Sequence, residues 1–330
     1  MILIVGGAGY IGSHMAKMLN SLGWSVVVLD NLSTGFRDAA CYGEFVEGDL
    51  ADRNVLNALF EKYDFKAVMH FAASSLVGES VVNPLKYYRN NISNTLNLLE
   101  VMTKNNVNTI IFSSTAAIFG EPKHTPIDEL HPEIPINPYG FSKLAVERVL
   151  SDFSKAYGIN SVSLRYFNAS GADPEGELGE CHNPETHLIP LILQAASGRR
   201  DNISVFGRDY STIDGTCVRD YIHITDLCSA HNLALNSLLD GLITGAAAYN
   251  LGNGNGFSVQ QVINAANKVV EVDGYSICTQ DSARRAGDPA ILVADASKAK
   301  LELGWEPKYS NLDVILNHAW KWEKRLSGVV

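Results

Sequence analysis

Residues 2–5 (ILIV) run without a polar break into Gly6, Gly9 and Gly12, and Ile11 to Leu22 then carries apolar residues at helical spacing. A buried strand, a glycine turn and a helix in that order restrict what this chain can fold into more than its composition does. In G-x-x-G-x-x-G each glycine has its own task. One permits the tight turn, one lets the backbone approach a pyrophosphate, and one allows close helix-to-strand packing, while the helix N-terminus offers unpaired N–H groups to the anion.

The next strand, VVVL at 26–29, ends in Asp30, 18 residues beyond Gly12, where a ribose-binding acid belongs. A carboxylate accepts both adenosine ribose hydroxyls and repels a 2′-phosphate, so the pattern predicts NAD rather than NADP. The following Asn31, Leu32, Ser33, Thr34 and Gly35 contain no base, and Arg37 is the nearest residue to oppose this. The competing role for Asp30 is a loop-capping acid.

Apolar runs at Ala67–Phe71, Thr109–Phe112 and Ser161–Leu164 alternate with helical stretches near 53–63, 84–105 and 138–157. That alternation predicts an α/β fold with a doubly wound parallel sheet of the Rossmann type. Beyond about residue 168 the pattern loosens, with helices near 185–197, 225–240, 258–271 and 311–325. The expected division is a dinucleotide lobe at 1–168 and a smaller α/β substrate lobe at 169–330, sharing a cleft, with the chain free to cross between them. A length of 330 residues suits two such lobes.

With 26 Lys and Arg against 36 Asp and Glu, the formal charge of −10 argues against nucleic acid or anionic membrane as partner. Cys41, Cys181, Cys217, Cys228 and Cys278 are odd in number and form no C-x-x-C pair, which reads as reduced thiols of a cytoplasmic protein. No targeting segment or membrane span is expected from the short apolar run after Met1. Cys181-His182 with His187 resembles part of a metal cluster but lacks the spacing of a structural zinc site, so no metal is expected.

Asn137-Pro138-Tyr139 opens the helix at 138–157, with Asn137 as N-cap and Pro138 at the first helical position. Tyr139 and Lys143 then lie one turn apart on one face. An ammonium about 4 Å from a phenol, at an effective dielectric of about 20, is worth roughly 4 kcal/mol, or about three pKa units. That shift would bring Tyr139 within reach of base catalysis at neutral pH.

With these residues in place the chain resembles the extended short-chain dehydrogenase/reductase family, in particular its members that invert C4 of UDP-hexoses. The resemblance runs nearly end to end. It is carried by Gly6–His14 (GGAGYIGSH), Asp30-Asn31-Leu32, His70–Ala73, Val77–Ser80, Phe112–Thr115, Tyr139–Lys143, Arg165–Asn168, Gly215–His223 (GTCVRDYIH), Tyr249–Gly252 and Arg284–Asp288. It implies Thr115 as hydrogen-bond partner of the sugar O4, Tyr139 as base, and Lys143 as its electrostatic partner and ribose ligand. It further implies the Tyr10 and Ile11 amides on pyrophosphate, Asp49 and Leu50 beside adenine, and Phe71, Ala72, Ala73, Asn90, Ser113 and Phe167 along the dinucleotide. Ser75 stands where some members carry a lysine near the cofactor phosphates.

For the substrate the resemblance implies Asn168, His187, Leu188, Ser204, Phe206, Arg219, Arg285 and Asp288. The two arginines suit a diphosphate and Phe206 suits uracil. Leu292 falls where a bulky tyrosine excludes, and a small residue admits, an N-acetyl group. The implied activity is interconversion of UDP-glucose and UDP-galactose through a transient 4-ketose, with UDP-N-acetylglucosamine as alternative substrate. A catalytically silent NAD-binding protein is the rival of another class, and intact Thr115, Tyr139 and Lys143 speak against it. Related 4,6-dehydratases place Asp-Glu after the Ser/Thr, and related decarboxylases a glutamate, whereas Thr115 is followed by Ala116-Ala117. Leu85, Tyr88, Ile92, Leu96 and Leu99 recur at helical spacing, a stripe that core packing mostly explains, and the family pairs this helix and the one at Pro138 in a homodimer.

Overall fold

The computed structural model describes residues 1–285 and 288–329, so Ala286-Gly287 of the Arg284–Asp288 motif and Val330 lie outside the described residues. Its strands are β1 (Ile2–Val5), β2 (Val26–Asp30), β3 (Glu44–Glu47), β4 (Ala67–His70), β5 (Thr109–Thr115), β6 (Asn160–Tyr166), β7 (Asn168–Ser170), β8 (Ile203–Phe206), β9 (Val218–His223), β10 (Ala246–Leu251), β11 (Gly256–Ser258), β12 (Thr279–Ser282) and β13 (Ile291–Leu292). Its helices are α1 (Tyr10–Ser21), α2 (Arg53–Lys62), α3 (Val77–Val82), α4 (Pro84–Tyr87), α5 (Asn94–Lys104), α6 (Pro138–Tyr157), α7 (Leu188–Ala196), α8 (Ile224–Leu239), α9 (Val259–Glu271), α10 (Ser297–Leu303) and α11 (Leu312–Ser327).

Seven of the described strands form one parallel sheet in the order β10-β6-β5-β4-β1-β2-β3. The central strands β1, β2 and β4 and the first part of β5 are almost wholly apolar because both faces are covered. Ile2, Ile4, Val26, Val28, Met69, Ile111 and Val162 face one core with α1 and α8. Their neighbours Leu3, Val5, Val27, Leu29, Val68, Ile110 and Phe112 face the other with α2, α5 and α6. Strand order reverses at β1, which lies between β2 and β4, and this is where open α/β sheets bind ligands. The doubly wound sheet of the sequence reading is therefore present.

The second half packs α7, α9 and α11 over β8 and β9 around Ile192, Val205, Tyr221, Val262 and Ile315. The chain crosses back at α8 and β10, and β10 pairs with β6. β5 runs three residues past its apolar stretch, through buried Ser113, Ser114 and Thr115. The edge strand β3, charged at both ends and half-exposed, has no strong apolar pattern and escapes the sequence reading.

One expectation is corrected. The stretch 84–105 is not a single core helix: between α4 and α5, residues Tyr88–Ser93 wind as a π-helix. Leu99 is in the core, but Leu85, Tyr88 and Leu96 are exposed, so core packing does not explain the stripe. Wider winding rotates the side chains that follow it, and π segments occur mostly at functional sites.

Candidate active site

The glycine turn is built as its spacing predicts. Gly6 has φ +82°, and a Cβ there would sit 2.5 Å from the Ala72 amide nitrogen. A Cβ on Gly12 would sit 2.2 Å from the Gly6 carbonyl oxygen, so only glycine lets α1 approach β1 this closely. A Cβ on Gly9 would meet only the loop's own Gly6 oxygen, at 3.4 Å, which leaves that side open to a ligand. Gly9 caps α1 without a side-chain hydrogen bond, so the first helical amides, Tyr10 and Ile11 among them, are available to an anion. Gly7 and Gly35, which the spacing does not single out, are also tight: a Cβ on either would approach Val28 or Ala8 within 3 Å.

Asp30 sits at the end of β2, with its carboxylate oxygens accepting from the Ala8 and Leu32 amides at 2.9 and 2.8 Å. Asp30 thus does cap the loop, yet each oxygen keeps a lone pair for a hydroxyl. Burial pushes its pKa up, and the two amides counteract part of that. Asn31 donates to Asp49 at 2.6 Å, Ser33 donates its amide to Asn31, and Leu50 is buried next to them. These residues gather at the carboxyl end of β2. Beyond β4, the Phe71 and Ala72 amides donate to the Val5 carbonyl, which brings Phe71, Ala72 and Ala73 against the glycine turn. Asn90 reaches Ser74, whereas Ser75 is exposed.

At the carboxyl end of β5, Thr115 faces the start of α6. The Asn137 side chain caps that helix by accepting from the Gly140 amide at 2.8 Å, and Pro138 follows it. Tyr139 and Lys143 come from its first turns. Buried Lys143 donates to the Ser113 carbonyl at 2.7 Å and lies over the Phe112 ring. Burial pushes its pKa down to about 7, with the Glu147 carboxylate opposing. Here the sequence expectation is corrected. Burial raises the Tyr139 phenol, and only contact with the Thr115 hydroxyl offsets part of that rise. The Lys143 ammonium is aimed at the Ser113 carbonyl and is itself disfavoured by burial.

In the second half, Asn168 opens β7, which pairs with β9 and so joins the two lobes beside Phe167. Arg219, on β9, is paired with Asp288 and donates to the Val218 carbonyl at 2.7 Å. Ser204 and Phe206 share the half-exposed face of β8, and the Arg285 guanidinium stacks over Phe206 at 4.0 Å. Leu292 pairs with Arg219 and packs with Phe167 against the cluster of Ala116 and Ile118. That places it directly behind Thr115. His187 precedes Leu188 at the start of α7, but its Nδ1 is turned toward Glu180 and Glu185 rather than toward Arg219.

Several supporting residues were not legible in the sequence. Arg165 pairs with both Glu147 and Glu133, and Ser114 donates to Glu147, so one buried network ties α6 to β5 and β6 beneath Tyr139 and Lys143. Glu147 lies one turn beyond Lys143, which is the only signal that pointed to it. Asn91, turned inward by the π-helical winding, holds both backbone groups of Ser74 and donates to Ser142 at 2.9 Å. The Tyr166 hydroxyl meets Ser113, and the Tyr87 ring stands edge-on to Tyr139 at 6.4 Å.

A glycine cradle at the switch point of a parallel sheet, beside a Thr–Tyr–Lys set, defines an extended short-chain dehydrogenase/reductase. A family model described as GDP-mannose 4,6 dehydratase matches residues 3–317. The UDP-glucose 4-epimerase of Halalkalibacterium halodurans is 50% identical over 324 residues, 98% of this chain and 95% of that protein. That of Streptococcus mutans is 51% identical, covering 97% and 96%. Among solved structures, UDP-glucose 4-epimerase from Brucella ovis in complex with NAD superposes with a TM-score of 0.93 at 50% identity, covering 97% of both chains. The UDP-Glc/GlcNAc 4-epimerase from Campylobacter jejuni gives 0.84 at 46%, covering 98% and 99%. The chain belongs to the UDP-glucose 4-epimerase family.

Proposed function

We propose that the protein interconverts UDP-glucose and UDP-galactose by inverting C4 through a transient 4-ketose. One observation carries the reading: Tyr139 and Lys143 stand one turn apart at the head of α6, facing Thr115, and the Ser114–Ala117 segment holds no carboxylate. After Thr115 the chain enters a buried apolar turn, Ala116–Phe119, with the Ala117 amide donating to the Thr115 hydroxyl at 3.1 Å. A dehydratase needs an acid and a base there, and this turn offers neither.

The residues fit NAD: the glycine cradle takes pyrophosphate, Asp30 the adenosine ribose, and Asp49 with Leu50 the adenine end. When bound there, NAD would supply a hydride acceptor and donor for C4 and a cationic ring that favours the phenolate of Tyr139. Tyr139 removes the C4 hydroxyl proton, with Thr115 holding that oxygen, and gives the proton back on the other face. Lys143 holds a ribose and adds positive charge when protonated. Ser113, Asn90 and Phe167 line the same channel. Arg219 and Arg285 clamp the diphosphate, Asp288 orients Arg219, and Phe206 with Ser204 receives the uridine. Asn168 and Leu188 border the sugar. A UDP end held this firmly leaves the ketose free to turn between the two transfers.

We further infer a homodimer and a cytoplasmic location. Val81, Val82, Leu85, Tyr88, Leu96 and Phe141 are exposed on α3 to α6, and Tyr88 and Phe141 meet edge to face. An apolar patch of this extent suits a self-association surface. The five cysteines are free, which suits a reducing compartment. Among the described residues no helix is long and apolar enough to cross a membrane.

Incubation with UDP-galactose and, separately, UDP-N-acetylgalactosamine, followed by product identification, tests the activity. UDP-glucose is the expected product of the first. Absence of a C4 epimer from both substrates would overturn the reading.

A further inference from the structure

Four side chains outside the Thr115–Tyr139–Lys143 site converge where the chain enters α7. Glu180, His182, Glu185 and His187 each offer one nitrogen or oxygen, and these atoms all lie within 4.8 Å of one another. His187 Nδ1 is 2.6 Å from Glu180 and 3.1 Å from Glu185, while His182 Nδ1 is 3.2 and 3.7 Å from the same two carboxylates. The carboxylates are almost wholly buried, at 5% and 4% side-chain exposure. Among the described residues neither has a Lys or Arg partner. Two adjacent buried carboxylates require positive charge between them, which either two imidazolium ions or one dication supplies.

A second observation favours the dication. His182 Nδ1 is buried and makes no hydrogen bond, although both carboxylates are close. So placed, 3.2 and 3.7 Å from the two carboxylates, that nitrogen is free to bind an ion held among the four donors. The surroundings hold the donors in place, as outer groups do at metal sites. The Glu180 carbonyl accepts from the Trp322 indole at 2.9 Å, and Glu185 Oε1 accepts from the Thr186 and His187 amides at 2.7 and 2.9 Å. His187 is exposed at the rim, which leaves a way in.

We propose that Glu180, His182, Glu185 and His187 bind a divalent transition-metal ion of the zinc class. Two neutral imidazoles and two carboxylates make a four-donor set of charge −2 that neutralises and suits tetrahedral Zn²⁺, whereas Ca²⁺ and Mg²⁺ need six or more oxygens. The ion joins the 180–187 loop to the first turn of α7 and so fixes Leu188, a structural role apart from the C4 chemistry. The spacing E-x-H-x-x-E-x-H escapes a search for cysteine-based sites, and Cys181 is not among the donors.

The test is uptake of Zn²⁺ by the chelator-treated full chain, read by elemental analysis after gel filtration and by calorimetry. The expected result is about one ion per chain, together with a rise in Tm on adding zinc. The double variant E180Q/H182A should bind at least about a hundredfold more weakly and lose the zinc-dependent rise in Tm. Should that variant fail to fold, the rim variant His187→Gln serves in its place. Uptake below about 0.1 ion per chain, or equal uptake by wild type and folded variants, would overturn the site and leave an imidazolium–carboxylate cluster.

Discussion

Tyr139 is the residue on which the proposed chemistry turns, and its surroundings do not lower its pKa. Burial holds the phenol protonated, and Lys143, near pH 7 itself, spends its ammonium on the Ser113 carbonyl. Removing the hydroxyl should therefore remove the base and little else. Tyr139→Phe is expected to lower turnover by about 10² to 10⁴ while circular dichroism and co-purifying dinucleotide stay as in the wild type. Leu292, packed with Phe167 against the turn after Thr115, borders the space that the proposed reaction assigns to the sugar. Leu292→Tyr should cut turnover of UDP-N-acetylglucosamine relative to UDP-glucose by about tenfold or more, measured as the ratio of kcat/KM values. At this scale the glycine turn, Asp30, Tyr139 and Lys143 were legible, because backbone conformation and proton chemistry demand particular residue types at fixed spacing. The direction of the Tyr139 pKa was not, since burial and the aim of the lysine are tertiary facts.

The elements are held in register by groups that carry no local signal. Glu147 on α6, Arg165 on β6 and Ser114 on β5 meet only when the sheet is assembled, and Arg165 is left with Glu133 alone if Glu147 goes. Glu147→Ala should destabilise the fold by about 3 kcal/mol in denaturant unfolding, because it strips one partner from a buried guanidinium. The π-helical winding at Tyr88–Ser93 is equally invisible to helical periodicity, which passes through it unbroken. It points Asn91 at Ser74 and leaves Leu85, Tyr88 and Leu96 outside. If that exposed stripe is the dimer face, Phe141→Asp should turn a dimer into a monomer in sedimentation velocity, and an unchanged mass would remove the assignment. Five of the seven strands of the large sheet, by contrast, could be read from their apolar runs, because strands covered on both faces admit little else, whereas the outer strands β3 and β10 at its two edges could not.

Over the whole molecule, four buried histidines set the response to acid. His14 and His231 are pushed down to about 4, and His70 and His223 to about 3, by burial, so each stays neutral in the fold but takes up a proton near 6.5 once unfolded. Their contribution is complete above pH 6.5 and is lost as pH falls toward 4 and 3. The slope is about 1.4 kcal/mol per pH unit for each proton taken up. Burial raises Asp30, Glu129, Asp220, Asp226 and Glu323, which act in the opposite sense, but of these only Asp220 is displaced far, to about 6. Stability measured by denaturant titration should therefore fall steeply between pH 6.5 and 4, and a flat profile would contradict the buried, neutral histidines. Leu292 pairs with Arg219 and packs with Phe167 against the turn after Thr115, which brings the second half of the chain next to the proposed catalytic residues, and in the proposed reaction a hydrogen leaves and returns to one sugar carbon there. UDP-galactose carrying deuterium at C4, incubated with the purified protein in ordinary water without added NAD, tests this most directly. The predicted product is UDP-glucose with the deuterium still at C4. Product whose C4 deuterium has exchanged with solvent, or no UDP-glucose at all, would contradict it.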